Sequence, residues 1–171
     1  MSKVIMFSRV FPKSHPRAGQ ETNFMQKIWK AINVPIPVSV HADKLNGEVH
    51  KLMSLTWRPK YHTIRKGSRF KPGDKFSPRV WEGKPYGSKQ IIIADDIEVK
   101  KIFDFEMDEN GVYSINGKYL LTEEDDKKEM LLARNDGFND PADFFSWFMP
   151  DYSNPKPFKG QIICWNENIE Y

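Results

Sequence analysis

The chain has 171 residues, with 26 lysines and arginines, 23 aspartates and glutamates, and a single cysteine. This length is typical of one domain that buries a core without a metal or a disulfide, and one cysteine excludes an intrachain disulfide framework. The apolar stretch at residues 4–7 is too short for a secretory signal or a membrane span of about 20 residues. We therefore expect a cytoplasmic protein without a membrane partner.

Charge is distributed unevenly along the chain. Residues 58–89 carry ten basic and two acidic side chains, whereas residues 95–151 carry 16 acidic and 6 basic ones. Such an uneven charge distribution indicates one face suited to a polyanion and another that is simply solvated. A solvated surface is an equally good explanation of the basic run. The acidic region leaves a protein-interaction module as a third possibility, although helix starts and turns explain most of its acidity.

The N-terminal third predicts a strand, a loop and a helix. Residues 4–7 predict the first strand, and the turn-rich basic loop after it can reach a site. Thr22 is the expected N-cap of a helix whose apolar stripe includes Phe24 and Ile28. Residues 33–57, with two prolines among alternating apolar positions, predict an edge strand or an extended insertion.

Strands and turns are predicted after the basic segment. Residues 90–94 and 97–105 predict two strands, and Asn116-Gly117 between two apolar runs is a hairpin signal. Thr122 with the acids after it predicts a capped helix start, and Gly137 can end that helix.

A second short helix and a closing strand complete the predicted order. Asp140-Pro141 predicts the N-cap and first residue of the helix, and residues 161–165 predict the strand. The helix carries four aromatic residues that we expect to pack in the core: Phe144, Phe145, Trp147 and Phe148. The order of elements does not alternate regularly enough for a doubly wound sheet, and it favours a compact, β-barrel-like α+β domain.

The densest basic and aromatic segment runs from residue 58 to residue 74. It contains K-x-x-T-I-R at residues 60–65, and Lys71-Pro72-Gly73-Asp74 is a β-turn signature that would start a strand at Lys75. If residues 60–65 are extended, Lys60 and Thr63 lie on opposite faces, whereas a turn brings them together. The sequence leaves both arrangements open.

This segment, K-x-x-T-I-R followed by Phe70-Lys71-Pro72-Gly73-Asp74, resembles the ASCH (activating signal cointegrator homology) domain. The resemblance extends to the opening strand and helix, to residues 133–138 and to the closing strand, and it leaves residues 33–57 as an insertion. It implies a single α+β domain over residues 1–171, with a small mixed β-barrel and flanking helices related to the PUA RNA-binding domains.

Within that superfamily, the chain is most similar to amidohydrolases that remove the acetyl group from N4-acetylcytidine with a lysine, a threonine and a glutamate. The resemblance places the lysine at Lys60 and the threonine at Thr63, while Asp136 takes the place of the glutamate. A carboxylate arm shorter by one methylene matters, because displacing a catalytic group by about 1 Å can cost about 10²-fold in rate.

The resemblance implies a domain that binds RNA, single-stranded nucleic acid or a modified nucleoside in a basic cleft. The alternative is hydrolysis of a non-peptide C–N bond in N4-acetylcytidine or a related small amide, with Lys60, Thr63 and Asp136 as the catalytic group. A lysine desolvated in a pocket can fall toward a pKa of about 7–8 and act as a base or nucleophile. In the non-catalytic alternative, Lys60 is an ordinary contact to an anion, and Thr63 is present because threonine favours strands.

Eight further residues are candidate contacts to a nucleic acid or substrate: Arg58, Tyr61, His62, Arg65, Lys66, Arg69, Trp81 and Tyr86. Arg65 suits a bidentate contact to a phosphate or a base carbonyl. The aromatic rings offer planes on which unstacked bases rest, although aromatic residues in strands are more often core. His62 is the histidine that we expect at the pocket. The four histidines have no metal-ligand spacing, so we expect neither a metal nor a cofactor.

Overall fold

The computed structural model describes residues 2–33, 57–149, 151, 154 and 156–171. Within these residues the chain forms nine strands and three helices, so the predicted α+β class is confirmed. The strands are β1 (Lys3–Met6), β2 (His62–Lys66), β3 (Lys75–Trp81), β4 (Gln90–Ile92), β5 (Ile97–Glu98), β6 (Lys101–Met107), β7 (Tyr113–Ile115), β8 (Lys118–Tyr119) and β9 (Phe158–Cys164). The helices are α1 (Phe24–Ile32), α2 (Asp126–Asn135) and α3 (Pro141–Phe148).

The described strands belong to two sheets. In the smaller sheet β1 and β3 are parallel, and β4 and β5 each pair with β3 in the antiparallel direction. The larger sheet is antiparallel throughout, in the order β2-β9-β6-β7-β8. Among the described residues the strands do not close into a barrel, so the barrel-like part of the predicted fold is not confirmed.

The larger sheet packs one face on an aromatic core. Along β6, Phe103 and Phe105 are buried while the intervening Asp104 is exposed, as expected for a strand with one solvated face. Helix α3 covers this face, with the Phe144 and Phe148 rings centred 6.2 and 5.9 Å from Phe105. The predicted packing of these two helix residues is confirmed. None of the helices in the described ranges is long and apolar enough to cross a membrane.

Two predicted turn and cap signals are confirmed. Asn116 and Gly117 both have positive φ, 50° and 76°, as a type I′ turn requires, and they connect β7 to β8. Asp140 caps α3 by accepting a hydrogen bond from the Asp143 backbone nitrogen at 2.8 Å, and Pro141 is the first residue of the helix.

Two predicted helix starts are displaced. Asn23 is the N-cap residue of α1, although the hydroxyl of the predicted cap, Thr22, still accepts from the Phe24 nitrogen at 3.3 Å. Helix α2 begins later than predicted, because the Asp125 carboxylate accepts hydrogen bonds from the backbone and hydroxyl of Thr122 and closes a separate turn.

The predicted strand at residues 97–105 is two strands in different sheets. The chain leaves the smaller sheet after β5 and enters the larger one at β6, which explains why the apolar alternation across this run is imperfect. The strand predicted at 90–94 ends earlier, at Ile92, and the closing strand begins earlier, at Phe158. The predicted edge strand or insertion at 33–57 lies, apart from its two end residues, outside the described residues.

Candidate functional site

A cavity of about 280 Å³, which we call the central cavity, opens between the two sheets and the turn after α2. Its wall includes both β2 and the loop after β3. Six of the residues singled out from the sequence line it: Lys60, Thr63, Arg65, Trp81, Tyr86 and Asp136.

Lys60 lies in the segment just before β2 and lines the central cavity. The Lys60 backbone nitrogen donates to the Lys27 carbonyl of α1 at 3.0 Å, and the Tyr61 nitrogen donates to the Asn135 carbonyl of α2 at 2.8 Å. Two helices therefore fix this short segment, and Lys60 lies outside the strand that contains Thr63. Residues 60–63 form no turn, yet Lys60 and Thr63 both line the central cavity.

Lys60 and Asp136 form a buried ion pair at the cavity wall. The Lys60 Nζ donates to Asp136 Oδ1 at 2.5 Å and also to the Asp136 backbone carbonyl. The two side chains are 2% and 4% exposed, and the ammonium lies 4.5 Å from the centroid of the Phe24 ring. The shorter arm of aspartate thus still brings its carboxylate into direct contact with the lysine.

Burial controls the protonation of both partners. It lowers the pKa of Lys60 to about 8, although the Asp136 carboxylate acts in the opposite direction. Burial also raises the pKa of Asp136 above its usual value, against the effect of the Lys60 ammonium. A lysine with a pKa near 8 can exchange a proton close to neutral pH.

The end of α2 positions Asp136. Its backbone nitrogen donates to the Leu132 carbonyl at 3.1 Å, and the next residue, Gly137, ends the helix with a φ of 90°. A Cβ at Gly137 would lie 3.1 Å from the Phe24 ring and 3.3 Å from Lys60 Cδ. Glycine therefore both ends the helix and leaves room for the lysine stem.

Arg65 and Thr63 face the same cavity from β2. The Arg65 Nη2 donates to the Met6 carbonyl at 2.7 Å, and its guanidinium carbon lies 5.2 Å from the centroid of the Phe7 ring. The Arg65 Nε is buried and has no hydrogen-bond partner among the described residues. Thr63 is 4% exposed. The wall thus offers a fixed guanidinium and a hydroxyl beside the ion pair.

Two aromatic residues form the mouth of the cavity. The Trp81 and Tyr86 rings are 5.4 Å apart, and Tyr86 is 93% exposed with a φ of 63°. A left-handed backbone at a residue other than glycine costs roughly 1–3 kcal/mol, and such strain collects at functional sites. An exposed ring at this position contributes little to the core and is available to a ligand.

His62 does not reach the central cavity. It follows Lys60 into β2, and alternation along the strand directs it away from the face of Thr63. Its side chain is completely buried, with Nδ1 3.6 Å from Asp136 Oδ1. Burial, helped by the Lys60 charge, holds the pKa of His62 well below its usual value. The structure therefore places His62 behind the ion pair and not in the wall of the central cavity.

The other predicted contacts lie around different depressions. Lys66 and Arg69 line a cavity beside β1, and Arg58 and Tyr61 line a groove beside α2. The basic segment is thus distributed over several parts of the surface, because strand alternation and the turn after β2 direct neighbouring side chains apart.

Sequence reasoning missed part of the wall. Trp147 and Phe148, predicted only to pack, also line the central cavity, together with Phe24 and Phe138. Helical spacing cannot separate these roles, because a large ring can touch the core on one side and a cavity on the other. The loop after β1, which was expected to reach a site, does so at Arg9.

The described residues contain no group of three or more histidine, cysteine or acidic side chains that could hold a metal ion. Comparison of the chain with family models, curated proteins and solved structures finds no match. Function is therefore inferred from the geometry of the central cavity.

Proposed function

We propose that the central cavity binds one nucleobase, presented by a modified nucleoside or by an unpaired residue of RNA or single-stranded nucleic acid. The observation that carries this proposal is an aromatic mouth, Trp81 and Tyr86, above a wall of fixed hydrogen-bonding groups. Proteins read unpaired bases by stacking them on aromatic rings and by hydrogen bonds to their edges. At about 280 Å³ the cavity suits one base rather than a helix, since pockets for larger ligands begin at roughly 300 Å³.

The same geometry supports the proposed relation to ASCH domains and the PUA-like superfamily. The lysine, threonine and arginine of K-x-x-T-I-R line one cavity together with Asp136. A chance likeness between short motifs would not require residues 60–65 and 136 to meet.

Hydrolysis of an amide on the bound base is a second candidate function, favoured by the Lys60–Asp136 contact. Neutral Lys60 would take a proton from water while the water oxygen attacks the acyl carbon. The C–N bond would then break, and the Lys60 ammonium would return the proton to the departing amine. The Thr63 hydroxyl, in the same wall, would donate to the acyl oxygen, and Asp136 would orient the lysine. For N4-acetylcytidine the products are cytidine and acetate.

Titration of the protein with cytidine and N4-acetylcytidine, with acetate release followed in parallel, tests both functions. Stacking contributes about 1–3 kcal/mol per base, so Tyr86→Ala should weaken binding at least fivefold. Tyr119→Ala, at an exposed tyrosine of β8 outside the cavity wall, is the matched control. Binding without acetate release would support the binding function and exclude hydrolysis of this substrate. Absence of both binding and turnover would overturn the proposal.

A further inference from the structure

A second cavity, of about 260 Å³, lies next to the central cavity, and we call it the cationic cavity. Four basic side chains line it: Arg17, Lys27, Arg58 and Arg134. None of the described residues in its wall is acidic. Phe138 lines both cavities, and Gly137 of the cationic cavity directly follows Asp136 of the central one.

Lys27 is the most buried of the four cations. It lies in α1, is 7% exposed, and donates from Nζ to the Gly137 carbonyl at 2.5 Å. Burial and the charges of Lys60 and Arg17 lower its pKa to about 8, and Asp143 opposes them. An ammonium removed from water without a carboxylate in contact is destabilising, and a bound anion would offset that cost.

The arginines leave positive charge uncompensated. Arg17 pairs with Asp143, Nη1 to Oδ2 at 2.8 Å, but this carboxylate also accepts from the Asn139 backbone nitrogen. Within the described residues, neither Arg58 nor Arg134 forms an ion pair with a carboxylate. The Arg134 Nε is buried and has no hydrogen-bond partner among these residues. Four cations thus line the cavity, and one carboxylate, that of Asp143, forms an ion pair with one of them.

We propose that the cationic cavity binds the phosphate group of the ligand whose base enters the central cavity. This inference rests on the proposed function and narrows its ligand from a nucleoside to a nucleotide. Guanidinium groups match phosphate oxygens in a fixed fork, and a lysine adds a compact charge. The Lys27 and Lys60 ammonium groups lie 5.9 and 4.5 Å from the centroid of the same Phe24 ring, so the two sites flank one side chain.

Calorimetric titration with cytidine, cytidine 3′- and 5′-monophosphate and inorganic phosphate tests the inference. Wild type should bind one of the monophosphates at least tenfold more tightly than cytidine, because a charged hydrogen bond contributes about one power of ten or more. Arg134→Gln and Lys27→Met should remove this preference and leave cytidine affinity unchanged. Lys118→Gln, which removes a charge from exposed β8, should keep it.

Equal affinity for cytidine and both monophosphates would overturn the inference while leaving the proposed function intact. A preference that survives in both cavity variants would also overturn it. If wild type binds neither cytidine nor the monophosphates, the proposed function fails. The titration with inorganic phosphate then tests by itself whether the cationic cavity binds an anion. Phosphate binding by wild type that is lost in Arg134→Gln would support an anion site in this cavity. If wild type does not bind phosphate, the site is overturned. A short cytidine-containing RNA distinguishes a polynucleotide source of the phosphate from a free nucleotide.

Discussion

Lys60 and Lys27 are two buried lysines with the same lowered pKa, about 8, in opposite surroundings. Lys60 donates to the Asp136 carboxylate, whereas Lys27 donates to the Gly137 carbonyl, forms no ion pair within the described residues and shares its cavity with three arginines. The Lys60–Asp136 pair has no net charge, whereas the surroundings of Lys27 carry excess positive charge. A shifted pKa alone therefore does not describe a buried lysine. Its partner decides whether the residue suits proton transfer or anion binding.

The largest expected effect follows from breaking the Lys60–Asp136 pair. Lys60→Met leaves the buried Asp136 carboxylate without its hydrogen-bonded counter-charge and should lower the free energy of unfolding by about 3–5 kcal/mol, measured by urea denaturation. Lys60→Met combined with Asp136→Leu should recover most of that loss, because apolar residues of similar volume can replace a buried pair. Single and double variants of equal stability would show that the pair does not act as a unit.

Lys27→Met should have the opposite sign. A pKa lowered from 10.5 to about 8 corresponds to about 3 kcal/mol of unfavourable burial at neutral pH, and loss of the charged hydrogen bond to the Gly137 carbonyl offsets about 1.5 kcal/mol of this gain. We therefore expect the free energy of unfolding to rise by about 1.5 kcal/mol in the same denaturation experiment, without phosphate. Destabilisation as large as that of Lys60→Met would mean that the two lysines are equivalent.

The pH dependence of stability sharpens the comparison. Between pH 8 and the ordinary lysine pKa of 10.5, the unfolded chain binds a proton at Lys27 that the folded protein lacks. The contribution of Lys27 to the wild-type free energy of unfolding should therefore rise with pH in this window, by up to about 1.4 kcal/mol per unit.

The difference between wild type and Lys27→Met isolates this contribution, because Lys60 and the tyrosines titrate in both proteins. Urea denaturation at pH 8, 9 and 10 measures it. Parallel pH profiles for the two proteins would contradict a lowered pKa at Lys27.

The smallest effect concerns the turn that separates the two cavities. Gly137 and Gly117 have similar positive φ, 90° and 76°, but a Cβ meets neighbouring atoms only at Gly137. Gly137→Ala should therefore lower the free energy of unfolding by about 1 kcal/mol more than Gly117→Ala. Both substitutions strain the backbone, but only the one at residue 137 also crowds Phe24 and Lys60. Thermal or urea unfolding of both variants gives this difference. Equal losses would show that the lysine stem adapts freely.

Local chemistry explains which parts of the fold could be predicted. Asn116-Gly117 and Asp140-Pro141 determine a turn and a helix start through their own backbone preferences, and both predictions are confirmed. The division of residues 97–105 between two sheets depends on tertiary pairing, which periodicity does not show. The same limit applies to α2, whose start is delayed by a side-chain turn at Asp125.

The candidate site divides in the same way. The family resemblance singles out Lys60, Thr63 and Asp136, but their meeting in one cavity depends on backbone hydrogen bonds that join residues 60 and 61 to two helices. His62 lies behind the ion pair because alternation along β2 directs it away from the face of Thr63, and the motif alone does not show this. Lys27 gave no signal, since a lysine in an amphipathic helix is ordinarily exposed, and only the fold shows it buried beside three arginines.

The most direct test of the central claim is a titration of ¹⁵N-labelled protein with N4-acetylcytidine, followed by NMR. The proposed base site predicts saturable shifts of the Thr63, Arg65 and Tyr86 amides at ligand concentrations up to the millimolar range. It also predicts that Tyr86→Ala weakens the response. No shift in that range, or shifts confined to residues outside the central cavity, would contradict the claim.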